Sequence, residues 1–112
     1  MTLLVQCEFR VKQADHAPEL VRIARALAAA TRDEPGTLRY QWFTAPAPGH
    51  YTILEEYVDA DAAEAHNQHV HDLLVAFFAV ADLVAIAFYG ELNAYLRAWC
   101  TGRDGVTVHT PL

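Results

Sequence analysis

The sequence contains no serine, one lysine (Lys12) and two cysteines. Without serine there is no Ser–His–Asp nucleophile, and with Lys12 the only lysine a Schiff-base mechanism is not expected. Cys7 and Cys100 lie far apart, with neither CxxC nor metal-ligand spacing. Two such thiols build no disulfide framework and suit a reducing cytoplasm. The five glycines never fall into GxGxxG or GxxxxGK, so neither a Rossmann nor a P-loop phosphate cradle is present. Cations are scarce. Eight Lys and Arg stand against fourteen Asp and Glu, a net charge of −6, whereas nonspecific nucleic-acid affinity needs cations to neutralise phosphates. The longest apolar run, Leu73–Tyr89, is interrupted by Asp82 and falls short of the roughly 20 residues that span a bilayer. Met1-Thr2-Leu3 lacks the basic region of a signal peptide. The expectation is a cytoplasmic protein with no nucleic-acid or membrane partner.

What is present is 112 residues, 54% of them hydrophobic, enough for one core. Residues 2–11 alternate, with Leu3, Val5, Cys7, Phe9 and Val11 on one face, which predicts a half-buried strand. A helix opens at Asp15–Pro18, and Leu20, Ile23, Ala24, Leu27 and Ala28 follow helical spacing. Glu34-Pro35-Gly36 stops it. Strands are predicted over 38–45, with Leu38, Tyr40 and Trp42 on one face, and over 51–58, with Tyr51, Ile53, Glu55 and Tyr57 together. Asp61 reads as the cap of a second helical pattern running to about Val80, broken or unbroken near Asn67-Gln68. A fourth strand covers 83–89, a short helix 91–100, and a short strand 106–108. Residues 1–100 thus form one domain and 101–112 a tail. The order β-α-β-β-α-β is the ferredoxin-like α+β unit, an antiparallel sheet with helices on one side. Leu4, Phe43, Leu54 and Val58 fall on the bare face, which predicts a partner subunit there.

The second helix carries His66, His69 and His71. On a continuous helix His66 faces the sheet with Val70, Leu73 and Phe77, His69 sits beside that stripe, and His71 lies about 140° away from His66. Three histidines so arranged do not converge on a metal, and none is expected. His69 reads as a surface or hydrogen-bonded residue. Glu55 shares a buried face with Ile53, and a buried carboxylate needs a partner. Two readings stand side by side. In one, Glu55 pairs with His66 and orients it as a general base; in the other, it pairs with Arg39 or a donor from the tail in a structural role. Tyr40, Trp42, Tyr57 and Phe78 face the same space, which suits a flat aromatic ligand. Cys7 lines it too, with no neighbouring charge to lower its pKa.

Glu34-Pro35-Gly36…Leu38-Arg39-Tyr40, Ile53-Leu54-Glu55-Glu56-Tyr57 and Ala65-His66…His71 together resemble the antibiotic biosynthesis monooxygenase family, over roughly residues 3–90. The Gly90-Glu91-Leu92…Leu96 extension is similar to that of longer members. The family pattern places a Glu and a Trp two apart on the third strand, then a His, four residues and a second His. Glu55, His66 and His71 match it, and Tyr57 replaces the Trp. The resemblance implies a dimeric α/β barrel closed through the open sheet faces, a ligand pocket between sheet and helices, and a break in the second helix that turns His71 inward. A heme-degrading branch uses an Asn, a Trp and a His at positions that here hold Cys7, Tyr57 and a residue near Val75, which argues against that reaction.

The resemblance further implies cofactor-independent oxygenation, by O₂, of a phenolic, quinol or anthrone-like ring, with no cofactor. Catalysis would fall to His66, Glu55 and His71, and substrate binding to Tyr40, Trp42, Tyr57, Phe78 and Cys7. Two alternatives share this pocket. One is a proton-transfer isomerase of a small ketone, and the other a non-catalytic dimeric module that binds an aromatic metabolite.

Overall fold

The computed structural model describes residues 1–112. Strand β1 (Leu3–Val11) leads through a 3-10 turn (Ala14–His16) into helix α1 (Ala17–Thr31). The hairpin β2 (Thr37–Thr44) and β3 (His50–Tyr57) is followed by α2 (Ala60–His69), α3 (His71–Val80), β4 (Ala81–Tyr89), α4 (Ala94–Cys100) and β5 (Val106–His109). The sheet order is β2-β3-β1-β4-β5. Every pairing is antiparallel except the last, where β5 lies parallel to β4. The first four strands and their helices form the expected α+β ferredoxin-like unit, and the short strand foreseen near Val106 becomes a fifth strand along β4.

The alternation of β1 survives residue by residue. Leu3, Val5, Cys7, Phe9 and Val11 are buried while Leu4, Gln6 and Arg10 are exposed. Opposite them, Leu20, Ile23, Ala24 and Leu27 form the buried stripe of α1, and Pro18 is accommodated in its first turn, where the missing N–H costs nothing. The other sheet face is open, and Leu4, Phe43 and Val58 on it are exposed, while Leu54 is half-buried. No helix is long and apolar enough to cross a membrane. The Asp82 that interrupts the apolar run sits at the start of β4 and faces Arg10 at 3.6 Å and Lys12 at 4.0 Å.

Two local expectations are corrected, and the break that the resemblance implies for the second helix is found. Leu38 is 54% exposed rather than inward, because the β2–β3 register shifts between Thr37 and Arg39 and such a bulge displaces the side chains around it. The cap of α2 is Asp59, whose Oδ1 accepts from the Ala62 N–H at 2.9 Å; Asp61 is already helical and accepts from Asn93 Nδ2 instead. The helical run from Ala60 to Val80 is broken at Val70, whose φ of −103° and ψ of 18° leave the α region. α3 then runs into β4 with no intervening residue.

Because Asp59 satisfies an otherwise orphaned N–H at the start of α2, Asp59→Ala should cost about 1 kcal/mol. Urea denaturation measures this, and an unchanged midpoint would refute the capping role.

Candidate functional site

Between the sheet and the helices lies a cavity of about 170 Å³. Its floor is made where β1 and its neighbours carry small or aliphatic residues: Val5, Cys7, Ile53 and Ile86. Around that floor stand larger groups. Phe9, Trp42, Phe77 and Phe78 pack at mostly tilted or edge-on angles at one end, the geometry that ring quadrupoles favour. At the other end Tyr40 and Tyr57 flank His66, with ring centroids 5.1 and 5.6 Å from the imidazole.

His66 is 2% exposed and sits between two carboxylates. Its Nδ1 lies 2.9 Å from Glu34 Oε1 and 3.1 Å from Oε2, whereas its Nε2 is 3.9 Å from Glu55 Oε1. The carboxylate that orients His66 by hydrogen bonding is therefore Glu34. Glu55 faces the other nitrogen at a separation too long for a hydrogen bond. Instead, Glu55 accepts from the Tyr57 hydroxyl on Oε1 and from the Cys7 thiol, at 3.6 Å, on Oε2. Neither Arg39 nor a tail donor reaches it.

Glu34 arrives beneath His66 through the turn between α1 and β2. Gly36 makes the approach feasible: a Cβ there would lie 2.6 Å from the Ala62 Cβ of α2. The Val58 N–H also donates to the Gly36 carbonyl at 2.9 Å. Thr37 Oγ1 donates to Glu34 Oε1 at 2.7 Å. His69, one helical turn from His66 and on the same side of α2, is exposed and places Nδ1 2.7 Å from Glu34 Oε2. Glu34 thus ties a buried and an exposed imidazole to one carboxyl group.

Burial pushes the Glu34 carboxyl upward, but hydrogen bonds from His69, Thr37 and His66, with the charge of His66, outweigh it and hold it below the usual range. An ionised Glu34 can only accept, so Nδ1 of His66 carries a proton, and in the neutral imidazole the lone pair then lies on Nε2. Burial raises the Glu55 carboxyl, and the opposing influence of His66, Tyr57 and Cys7 does not cancel it. Burial and then the charge of Glu55 push the Cys7 thiol and the Tyr40 and Tyr57 hydroxyls upward. Cys7 therefore has an acidic neighbour, and that neighbour makes its thiol less reactive.

All eight residues singled out in the sequence line the cavity: His66, Glu55, His71, Tyr40, Trp42, Tyr57, Phe78 and Cys7. His71 reaches it because of the break at Val70, although it remains largely exposed. Trp42 Nε1 is buried with no hydrogen-bond partner. No group of three or more His, Cys, Asp or Glu side chains is placed to hold a metal ion. The sequence presents Glu34 as part of a stop signal and of a family-like segment, not as a site residue. Two histidines three apart on one helix face call for a shared acceptor, and that was the available clue. The sequence reading also missed Tyr95 and Trp99, which α4 contributes to the cavity wall.

The two carboxyl groups act on stability with opposite sign. Glu34, lowered on folding, contributes stability that is complete above the ordinary carboxylate range and lost as pH falls through its folded value. Glu55, raised on folding, contributes stability that is present below its unfolded value and lost as pH rises through its folded one. In urea titrations across pH, Glu34→Gln should abolish the acid-side loss and Glu55→Gln the loss on the neutral side. A variant curve parallel to that of the wild type would overturn the corresponding assignment.

A sequence model of the antibiotic biosynthesis monooxygenases matches residues 2–72. No functionally curated protein matches the chain. Among solved structures, MupZ from Pseudomonas fluorescens aligns over 99% of this chain and 90% of its own, with TM-score 0.80 and 17% identity. A candidate antibiotic biosynthesis monooxygenase from Caulobacter crescentus aligns over 78% and 86%, with TM-score 0.68 and 25% identity. SnoaB from Streptomyces nogalater, a cofactor-independent oxygenase, aligns over 83% and 95%, with TM-score 0.69 and 16% identity. MupZ and SnoaB share the fold at identities too low to carry more. The family match covers well over half of the sequence, and the chain belongs to the antibiotic biosynthesis monooxygenase family.

Proposed function

We propose that the protein is a cofactor-independent monooxygenase that oxidises a phenolic or quinol-type ring with O₂. The observation that carries this reading is the placement of His66: its Nδ1 is anchored by Glu34, and its Nε2 makes no hydrogen bond and is left beside a cavity walled by aromatic rings. Family membership and the oxygenase described for SnoaB support the reaction class.

His66 Nε2 removes the hydroxyl proton, and the imidazolium so formed is stabilised by Glu34. The substrate anion passes one electron to O₂, and the resulting radical pair joins to form a carbon–oxygen bond. The peroxide anion takes the proton back from His66. Its O–O bond then breaks with loss of the ring hydrogen, giving a quinone and one water. One oxygen atom enters the ring, the other leaves as water, and the ring supplies the electrons. The Trp42 N–H, buried close to the Tyr40 hydroxyl, supplies a donor for the anionic oxygen. Tyr40, Tyr57 and Phe78 hold the ring, and His71 stands at the helix break as a second donor.

The reading extends to a homodimer formed through the open sheet face, supported by exposed Leu4, Phe43 and Val58. Two free cysteines favour a reducing cytoplasm.

Oxygen uptake by metal-stripped protein with hydroquinones, naphthols and anthrones tests the proposal. His66→Ala should lower turnover on the order of 10²–10⁴-fold while leaving ring binding nearly intact. Glu34→Gln should lower kcat more than it changes KM, because the amide can present an N–H to Nδ1 and impose the wrong tautomer. No uptake with any ring, together with equal aromatic binding in wild type and His66→Ala, would replace the oxygenase by a binding module. Uptake that His66→Ala leaves unchanged would remove His66 from the mechanism.

A further inference from the structure

We infer that Trp99, carried by α4, sets the length of ring system the cavity accepts, and that the substrate is a single-ring phenol or benzenediol. The inference rests on the oxygenase reading for its chemistry but on separate residues for its geometry. α4 lies beyond the residues 2–72 that match the family.

In the sheet register Val5 is paired with Glu55 on one side and with Phe88 on the other. Glu55 and Phe88 are therefore two strand spacings apart, roughly 9–10 Å at the backbone, with the small Val5 as the floor between them. The Trp99 indole stands edge-on to Phe88, with centroids 6.2 Å apart and planes at 75°. Across the strands, a ring whose hydroxyl meets His66 and Glu55 thus has Phe88 and Trp99 on its far side, while along the strands it meets the Phe9, Trp42, Phe77 and Phe78 end. One six-membered ring fits that span, and three linearly fused rings overrun it. Volume agrees. The cavity measures about 170 Å³, and an apolar cavity of about 150 Å³ holds one benzene molecule.

A wall selects by size only if it is held in place. Asn93 caps α4 by accepting from the Leu96 N–H at 2.9 Å, and its Nδ2 donates to Asp61 and Glu64 of α2 at 2.9 and 3.0 Å. Leu96 is buried. Arg103 lies over the Trp99 ring, 4.3 Å from its centroid, and its Nε donates to the Trp99 carbonyl at 2.6 Å. The chain beyond then returns as β5 along β4. α4 is thereby anchored on both sides of the indole.

The test uses binding, which does not depend on turnover. Equilibrium dialysis of the full chain with phenol, 2-naphthol and 2-hydroxyanthracene should show wild-type binding of phenol and no measurable binding of the three-ring compound. Trp99→Ala should strengthen 2-naphthol binding by at least about tenfold, the scale on which apolar pockets discriminate size, without strengthening that of phenol. Should Trp99→Ala fail to fold, Trp99→Leu keeps an apolar contact with Phe88 and should shift the same preference in the same direction. Wild-type protein that binds 2-hydroxyanthracene as tightly as phenol would overturn the inference, as would Trp99 variants with unchanged ring-size preference. Ring-size selection through Trp99 without oxygen uptake from any substrate would remove the oxygenase reading and leave the size assignment standing.

Discussion

The arrangement of the site depends on one carboxylate. Glu34 reaches His66 from the end of the α1–β2 turn, and its ionisation decides which imidazole nitrogen carries the proton. Without it, a buried imidazole would lack its main hydrogen-bond partner, at a cost comparable to that of other unsatisfied buried groups. The turn can approach only because Gly36 has no side chain against Ala62. Backbone clearance of one methyl group therefore sits upstream of the electrostatics of the cavity. The hydrogen bond from His69 reinforces Glu34 from the solvent side, so the same carboxylate is partly shielded and partly in touch with water.

Much of this was legible in the sequence where period and burial coincide. β1 alternates because one face packs on α1 and the other is open, and period two survives intact under those conditions. The α1 stripe was equally plain. Leu38 shows where the signal fails: a bulge is a tertiary compromise between two strands and leaves no mark in one strand's pattern. The choice between Asp59 and Asp61 as cap turned on a shift of two residues, the margin within which helix boundaries are set by backbone dihedrals rather than by composition. The break at Val70 was ambiguous for a related reason, since no Gly or Pro announces it.

The residues around the cavity were readable as a set because strand parity alone assigns Glu55, Tyr57, Tyr40, Trp42 and Cys7 to one side of the sheet. Their partners were not. The contact between Glu34 and His66 joins positions 32 apart in sequence through a turn whose path only the packed structure defines. Parity therefore offered Glu55 as one partner for His66, beside Arg39 or a tail donor as partners of Glu55, and gave no sign that the nearer carboxylate belonged to a loop. The wall supplied by α4 was hidden in the same way. A seven-residue helix shows little periodicity, and nothing local indicates which strand it covers.

The contact between Cys7 and Glu55 bears on durability. Thiols are oxidised by peroxide chiefly as thiolates, and exposed, low-pKa cysteines are the ones lost. Cys7 lies in the floor of a cavity proposed to handle reduced oxygen, a position that would invite progressive self-inactivation. Burial and the adjacent carboxyl group both favour the protonated thiol, which is slow to react. Burial first, and Glu55 second, thus keep the thiol in the cavity floor in its slow-reacting form.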